Sequence, residues 1–202
     1  MLKKDWFIDW FDTPYYHILY QNRNELEAKN FILSLMDHLK LVPDSKILDL
    51  ACGKGRHSKT LNELGHNVLG VDLSENSINQ AKEYSSDTLS FQVHDMREAI
   101  KDKQYDAVFN LFTSFGYFDT HKENQRMCSS IADMLRPNGK LIIDFMNAHK
   151  VIESLVEEEE KEISGITFNI KRVYDDRHIH KHIKFEDKGK LFHFTERVQG
   201  LK

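Results

Sequence analysis

The sequence predicts an α/β protein: a doubly wound, mostly parallel sheet with an N-terminal helical segment before it and a C-terminal antiparallel β meander after it. Three observations carry this. Between residues 46 and 146, short apolar runs alternate with segments of helical period. A glycine bend at Gly53 and Gly55 follows the first of those runs and precedes a helical segment. Beyond residue 163, apolar and polar residues alternate at period two, as in strands with one buried face.

A chain of 202 residues suits one domain with an appendage and can bury a sizeable core. The expected organisation is 1–41 as an aromatic segment and helix, 42–150 as a nucleotide-binding core, and 151–202 as a helix plus antiparallel extension. An apolar share of 40% and a charged share of 30% fit a globular fold. No apolar run reaches the ~18 residues of a membrane span, and the start MLKKDWFIDWFD lacks the apolar core of a signal peptide. Two cysteines make no disulfide framework, so free thiols and a cytoplasmic location are expected. The net charge, 28 − 32 = −4, argues against broad nucleic-acid binding. Residues 163–202 differ, carrying 9 Lys and Arg against 5 Asp and Glu, a local +4. A solvated sheet face explains that balance more simply than attraction of an anionic substrate.

Taken in order, residues 1–23 are dense in aromatic rings, and Pro14 suits the first turn of a short helix over 15–23. Residues 25–41 place Ala28, Phe31, Ile32, Leu35, Met36 and Leu39 on one stripe, a core-facing helix. KILDLA (46–51) is too short for a helix and reads as a buried strand. The bend at Gly53 and Gly55 lets the backbone approach a ligand closely, and the following helix is stopped by Gly65. A dinucleotide fingerprint wants a third glycine or alanine where this chain has Ser58. Asp49 ahead of the bend would repel a pyrophosphate and suit a ligand bearing an ammonium group. NVLGVDLS (67–74) is a second strand, and its Asp72 lies 19 positions after Gly53. That is close to the ~20 expected of a carboxylate that accepts from ribose hydroxyls.

Ser74 then caps a helix to residue 84, with Ile78 and Ala81 inward. LSFQVHD (89–95) and YDAVFNL (105–111) are the third and fourth strands. Thr120 and Glu123 have capping-box spacing for a helix with Met127, Ile131 and Leu135 inward. Pro137-Asn138-Gly139 is expected to turn the chain into a fifth strand over 140–146. Asn147 caps a further helix, which the acidic run 157–160 should terminate. ITFNIKRVYD, RHIHKHIKFED and KLFHFTERVQ form a three-stranded meander with turns at 175–176 and 187–189. His178, His180 and His182 share one face of it. No carboxylate or cysteine completes a zinc ligand set in the sequence, so no metal is expected.

The order of ILDLACGKGRHS, GVDLS, HDMRE, YDAVFNLFTSFGYF and LRPNGKLIIDF resembles the class I S-adenosylmethionine-dependent methyltransferases over residues 46–145. The resemblance implies a Rossmann-like core with S-adenosylmethionine as cofactor. Carried over by position, the cofactor residues are Asp49, Ala51, Gly53, Gly55, Asp72, Leu73, Asp95, Met96, Asn110 and Phe112. Ala51 stands where many members have glycine. Asp95 would accept from the adenine amino group while Met96 packs on the ring, and aromatic faces such as Phe112 attract a sulfonium. The family's N-terminal segment often covers the pocket, which makes Tyr16, His17, Tyr20 and Arg23 candidates to face substrate; simple packing on the body is the alternative. His57, His17 and Tyr16 are the residues to consider for a general base, and no catalytic residue is singled out. The resembled fold also continues beyond a fifth strand, so either the sequence is a fragment or the meander and a partner cover that edge, and a homodimer through it is one expectation.

The function implied is methyl transfer to an unidentified, small-molecule acceptor. Two alternatives stand beside it, a non-catalytic methyltransferase-like binding or scaffold protein and a nicotinamide-dependent oxidoreductase.

Overall fold

The computed structural model describes residues 6–22, 25–101, 104–118 and 120–201. In chain order, α1 (Trp6–Phe11) and α2 (Pro14–Leu19) lead into α3 (Glu25–Leu39), β1 (Lys46–Leu50), α4 (Arg56–Glu63), β2 (Asn67–Asp72) and α5 (Glu75–Ala81). A single 3-10 turn (Lys82–Tyr84) precedes β3 (Leu89–Val93) and β4 (Tyr105–Asn110). Then come α6 (His121–Met134), β5 (Leu135–Ile143), α7 (Ala148–Glu153), β6 (Glu158–Ile163), β7 (Ile166–Tyr174), β8 (His178–Asp187) and β9 (Lys190–Gln199). Two compact units result. One comprises Asn22–Phe115 with Thr120–Phe145, and the other Met1–Gln21, Gly116–Asp119 and Met146–Lys202.

The first unit is a five-stranded parallel sheet in the order β3-β2-β1-β4-β5. Because β1 neighbours both β2 and β4, strand order reverses beside it, and ligands of open α/β sheets bind at such a switch point. Ile47, Leu48 and Leu50 of β1 are fully buried, as expected of a strand covered on both faces. Ala28 and Ile32 of α3 are equally buried, and Phe31, Leu35, Met36 and Leu39 pack on the same cluster, so the predicted stripe faces the core. The predicted caps form: Ser74 Oγ accepts from the Ser77 N–H, the Thr120–Glu123 box closes, and the Asn147 side chain accepts from the Lys150 N–H.

The second unit is an antiparallel sheet in the order β6-β7-β8-β9, with α1, α2 and α7. Here four strands replace the predicted three. The acidic run does not end a helix; it is β6, where Glu158 sits opposite Lys171 and bonds it at 3.0 Å, and Glu159 bonds Arg172 at 2.7 Å. Those cross-strand cations offset the like-charge repulsion expected to end a helix there. Asn138 and Gly139 likewise do not precede the fifth strand but lie within it. Pairing jumps from Tyr105–Leu135 to Ala107–Lys140, and Asn138 takes a left-handed φ of 66° in the resulting bulge. Leu135 opens this strand instead of closing α6. Of the aromatic segment, α2 keeps Pro14 at its first turn, whereas α1 was not foreseen. Trp6 packs edge-on to Tyr117, and Trp10 lies 4.6 Å from the Phe194 ring. No helix among the described residues is long and apolar enough to cross a membrane.

Gly55 has a φ of 79°, and a β-carbon there would stand 2.7 Å from the Phe91 ring. Gly55→Ala should therefore cost about 2 kcal/mol or more, from left-handed strain and overpacking together. Ala51, at a φ of 60°, bears that strain already. Ala51→Gly should gain about 0.5 kcal/mol, because relief of the strain outweighs the added freedom of the unfolded chain. Urea denaturation of both variants checks the pair of signs.

Candidate functional site

The C-terminal ends of β1, β2 and β4 converge at the switch point, and residues 51–55 bridge the first of them to α4. The bend owes its shape to three left-handed residues, Ala51, Gly53 and Gly55. Gly53 donates its N–H to Asp72 Oδ2 at 2.8 Å, and the other oxygen of Asp72 accepts from the Ser74 N–H at 2.8 Å. Leu73 follows, partly buried. The spacing that suggested Asp72 in the sequence thus becomes a direct tie between bend and second strand. Gly55 is also the N-cap of α4 and supplies no side-chain cap, leaving that helix end's positive pole to other acceptors.

Asp49 lies beneath the bend, 1% exposed, and accepts from the Ser58 hydroxyl at 2.6 Å. Burial pushes its carboxyl up to about 7; the Ser58 bond opposes the rise, and the nearby Asp72 charge adds to it. Ser58 counted in the sequence only as a missing glycine, and its pairing with Asp49 was not foreseen. Cys52 is buried, and burial followed by the charges of Asp49 and Asp72 drives its thiol well above the usual range, so it is no nucleophile.

At the end of β4, Asn110 is wholly buried. Its Nδ2 donates to the Leu50 carbonyl at 3.1 Å and lies 3.9 Å from Met96 Sδ, while its Oδ1 has no hydrogen-bond partner. Phe112 and Thr113 follow in consecutive left-handed conformations. Asp144, which sequence reasoning missed, holds them: its carboxylate accepts from the Phe112 N–H at 3.0 Å and its carbonyl from the Thr113 N–H at 3.0 Å. The acid ending LIIDF was the available signal. The Phe112 ring already faces a cation, the Arg56 guanidinium at 4.2 Å, and the His57 ring lies 5.1 Å away. Burial, with Arg56 adding to it, lowers His57 to about 3, which makes it a weak base at neutral pH.

Asp95 is engaged otherwise than the sequence suggested. Both oxygens bond the Arg97 guanidinium, at 2.6 to 3.0 Å, and the Arg97 N–H adds another bond. Burial would raise this carboxyl, but Arg97 outweighs it and holds it low. Adenine would therefore have to share Asp95 with a guanidinium.

Tyr16, His17 and Tyr20 belong to the antiparallel unit. Tyr16 lies among the rings of Trp10, Phe11, His17 and Tyr20. The Tyr20 hydroxyl donates to Glu196 and accepts from Lys181 Nζ at 2.6 Å. Trp10 Nε1 donates to the same glutamate at 2.6 Å. Arg23 lies outside the described residues. On β8 the expectation of an incomplete ligand set needs correction, since the turn before the strand brings Asp175 to His178 and His180.

A family model described as a methyltransferase domain matches residues 41–195. A provisionally named methyltransferase of Bacillus subtilis (strain 168), YqeM, is 37% identical over 128 residues, covering 60% of this chain and 52% of YqeM. The dTDP-3-amino-3,4,6-trideoxy-alpha-D-glucopyranose N,N-dimethyltransferase of Streptomyces venezuelae is 31% identical over 100 residues, 50% of this chain and 42% of that protein. The chain spans about half the length of the curated relatives it matches. Among solved structures, an S-adenosylmethionine-dependent methyltransferase from Clostridium acetobutylicum ATCC 824 has a TM-score of 0.75 at 19% identity, covering 93% of this chain and 79% of its own.

An acid whose pKa rises on folding favours the fold at low pH. The Asp49 contribution should accordingly be lost as pH climbs from about 4 to about 7, and be flat above that. Denaturation of the ligand-free protein across this range should show the slope, and Asp49→Asn should remove it. Ser58→Ala, which deletes the donor, should move the midpoint upward.

Proposed function

The chain belongs to the methyltransferase-domain family, and on that premise we propose that it transfers a methyl group from S-adenosylmethionine to a small-molecule acceptor. The observation that carries the reading is the Gly53–Asp72 tie at the switch point, with Asp49 buried below it. The residues present fit the cofactor. Asp72 brings a carboxylate to the bend, the kind of group that accepts from ribose hydroxyls, and Asn110 Oδ1 is a buried acceptor that has no donor among the described residues. Asp49 provides negative charge in a region of low dielectric, where an ammonium group is favoured and a diphosphate is not. When bound, the cofactor supplies an electrophilic methyl group. The protein's part is then to orient the acceptor and exclude water.

Relatives support a small acceptor: one is named for an amino sugar nucleotide and another as a ubiquinone biosynthesis O-methyltransferase. His57, lowered as it is, fits loop support under Phe112 better than proton abstraction. Among the described residues β5 is the last strand of its sheet, an edge position that suits pairing with another strand, and light scattering tests whether a second copy provides it.

Calorimetry should detect S-adenosylmethionine binding and none of NADH, and release of S-adenosylhomocysteine with a trial acceptor distinguishes an enzyme from a scaffold. Asp72→Ala should weaken cofactor binding by about tenfold or more, the loss of one charged hydrogen-bonding partner; an unchanged dissociation constant would overturn the ribose role. Affinity should also rise with pH up to about 7, as Asp49 ionises, and hold until the ligand's own ammonium titrates near pH ~8. Asp49→Asn should flatten that profile.

A further inference from the structure

The H-x-H-x-H strand is left over by the methyl-transfer reading, and the structure supplies what the sequence lacked. Asp175 closes the turn between β7 and β8, with Oδ1 accepting from the backbone N–H groups of Arg177 and His178 at 3.0 and 2.7 Å. Those bonds fix the carboxylate's direction. Its Oδ2 lies 2.7 Å from His180 Nε2, and its Oδ1 lies 3.8 Å from His178 Nδ1. One ligand atom from each of the three residues falls within 4.8 Å of the others. Zinc bound at about 2.1 Å in tetrahedral geometry separates its ligand atoms by about 3.4 Å. The separations in the cluster, 2.7 Å, 3.8 Å and none above 4.8 Å, bracket that spacing.

His178 is the informative member. Its ring is mostly covered, yet neither ring nitrogen makes a hydrogen bond: Nδ1 stops short of Asp175, and Nε2 is buried without a partner. Burial lowers its pKa, and the charge of Asp175 opposes that shift. Arg177 in the turn bears on His178, and Arg197 stands opposite His180 in the strand register. Asp175 counters them: burial would raise its carboxyl, but the His178 N–H and the His180 ring hold it at about 2, so it is ionised.

We propose that Asp175, His178 and His180 bind a divalent late first-row metal ion, of which zinc is the probe of choice. The site pins the β7–β8 turn and leaves coordination positions for water. Two imidazoles with one carboxylate suit zinc, nickel or copper and are a poor set for magnesium or calcium.

The test uses the full chain, freed of any affinity tag, treated with chelator and carrying Cys128→Ser, since that exposed thiol is a competing ligand. Calorimetry with zinc chloride should give one saturable site per chain and none with magnesium chloride. Zinc should also raise the melting temperature, as a ligand of the folded state must. Cobalt(II) should develop a visible absorption band that added zinc abolishes. His178→Gln and His180→Gln should each weaken zinc binding by about tenfold or more, given that changes in outer-shell partners alone have that effect. Asp175→Asn keeps an oxygen for the turn's two N–H groups, so it should fold normally and still lose affinity. Absence of saturable zinc binding, or binding that all three variants leave unchanged in properly folded protein, overturns the site and leaves Asp175–His180 as an ion pair that merely closes a turn.

Discussion

The Phe91 ring occupies the space that a β-carbon on either Gly55 or Gly70 would need, and the architecture of the parallel unit follows from that contact. A β-carbon at Gly70 would stand 2.6 Å from the ring and 2.9 Å from Ser58 Oγ. Two bare positions, one on β2 and one at the start of α4, therefore let helix, strand and ring share a single layer of close packing. Ser58 is thereby held beside Asp49, and the residues before Gly55 have to bend sharply enough to reach Asp72. The glycines act on the ligand side through backbone shape and on the core side through the volume they leave to Phe91.

Electrostatics adds a second layer to this packing. Two carboxylates, Asp49 and Asp72, frame one bend, and their mutual repulsion is part of what keeps the buried member close to its titration point. Asp72 is held at the site by the backbone donors of Gly53 and Ser74, whereas Asp49 is almost wholly buried and leans on Ser58. Neighbouring acids of the same type thus do different work because their surroundings differ. Phe112 shows a similar economy, since its ring rests on Arg56 and His57 while Asp144 fixes its backbone.

Where local chemistry decides structure, the sequence was readable. The caps at Ser74, Thr120 and Asn147 formed as expected, because each depends on neighbours in the chain, and the first four apolar runs became strands. What escaped depends on partners distant in sequence. The acidic run is a strand whose charges are met by Lys171 and Arg172 of β7. Asp175 joined two histidines through a turn whose side-chain direction no periodicity reveals. In the site, the glycine bend, Asp49 and Asp72 were legible from spacing, while the engagement of Asp95 by Arg97 and the support from Asp144 were not. A side chain's hydrogen-bond partner is a three-dimensional fact even when the partner lies two residues away.

The contrast between the two thiols bears on how the protein meets oxidants and alkylating agents. Cys52 is sealed within the bend and kept protonated by its surroundings, while Cys128 lies on the outer side of α6. Electrophiles should modify the helix and leave the ligand-binding loop chemically intact. A spectroscopic dye attached through maleimide chemistry would therefore report on the molecule without touching the bend, and no cysteine-free background would be needed to place it.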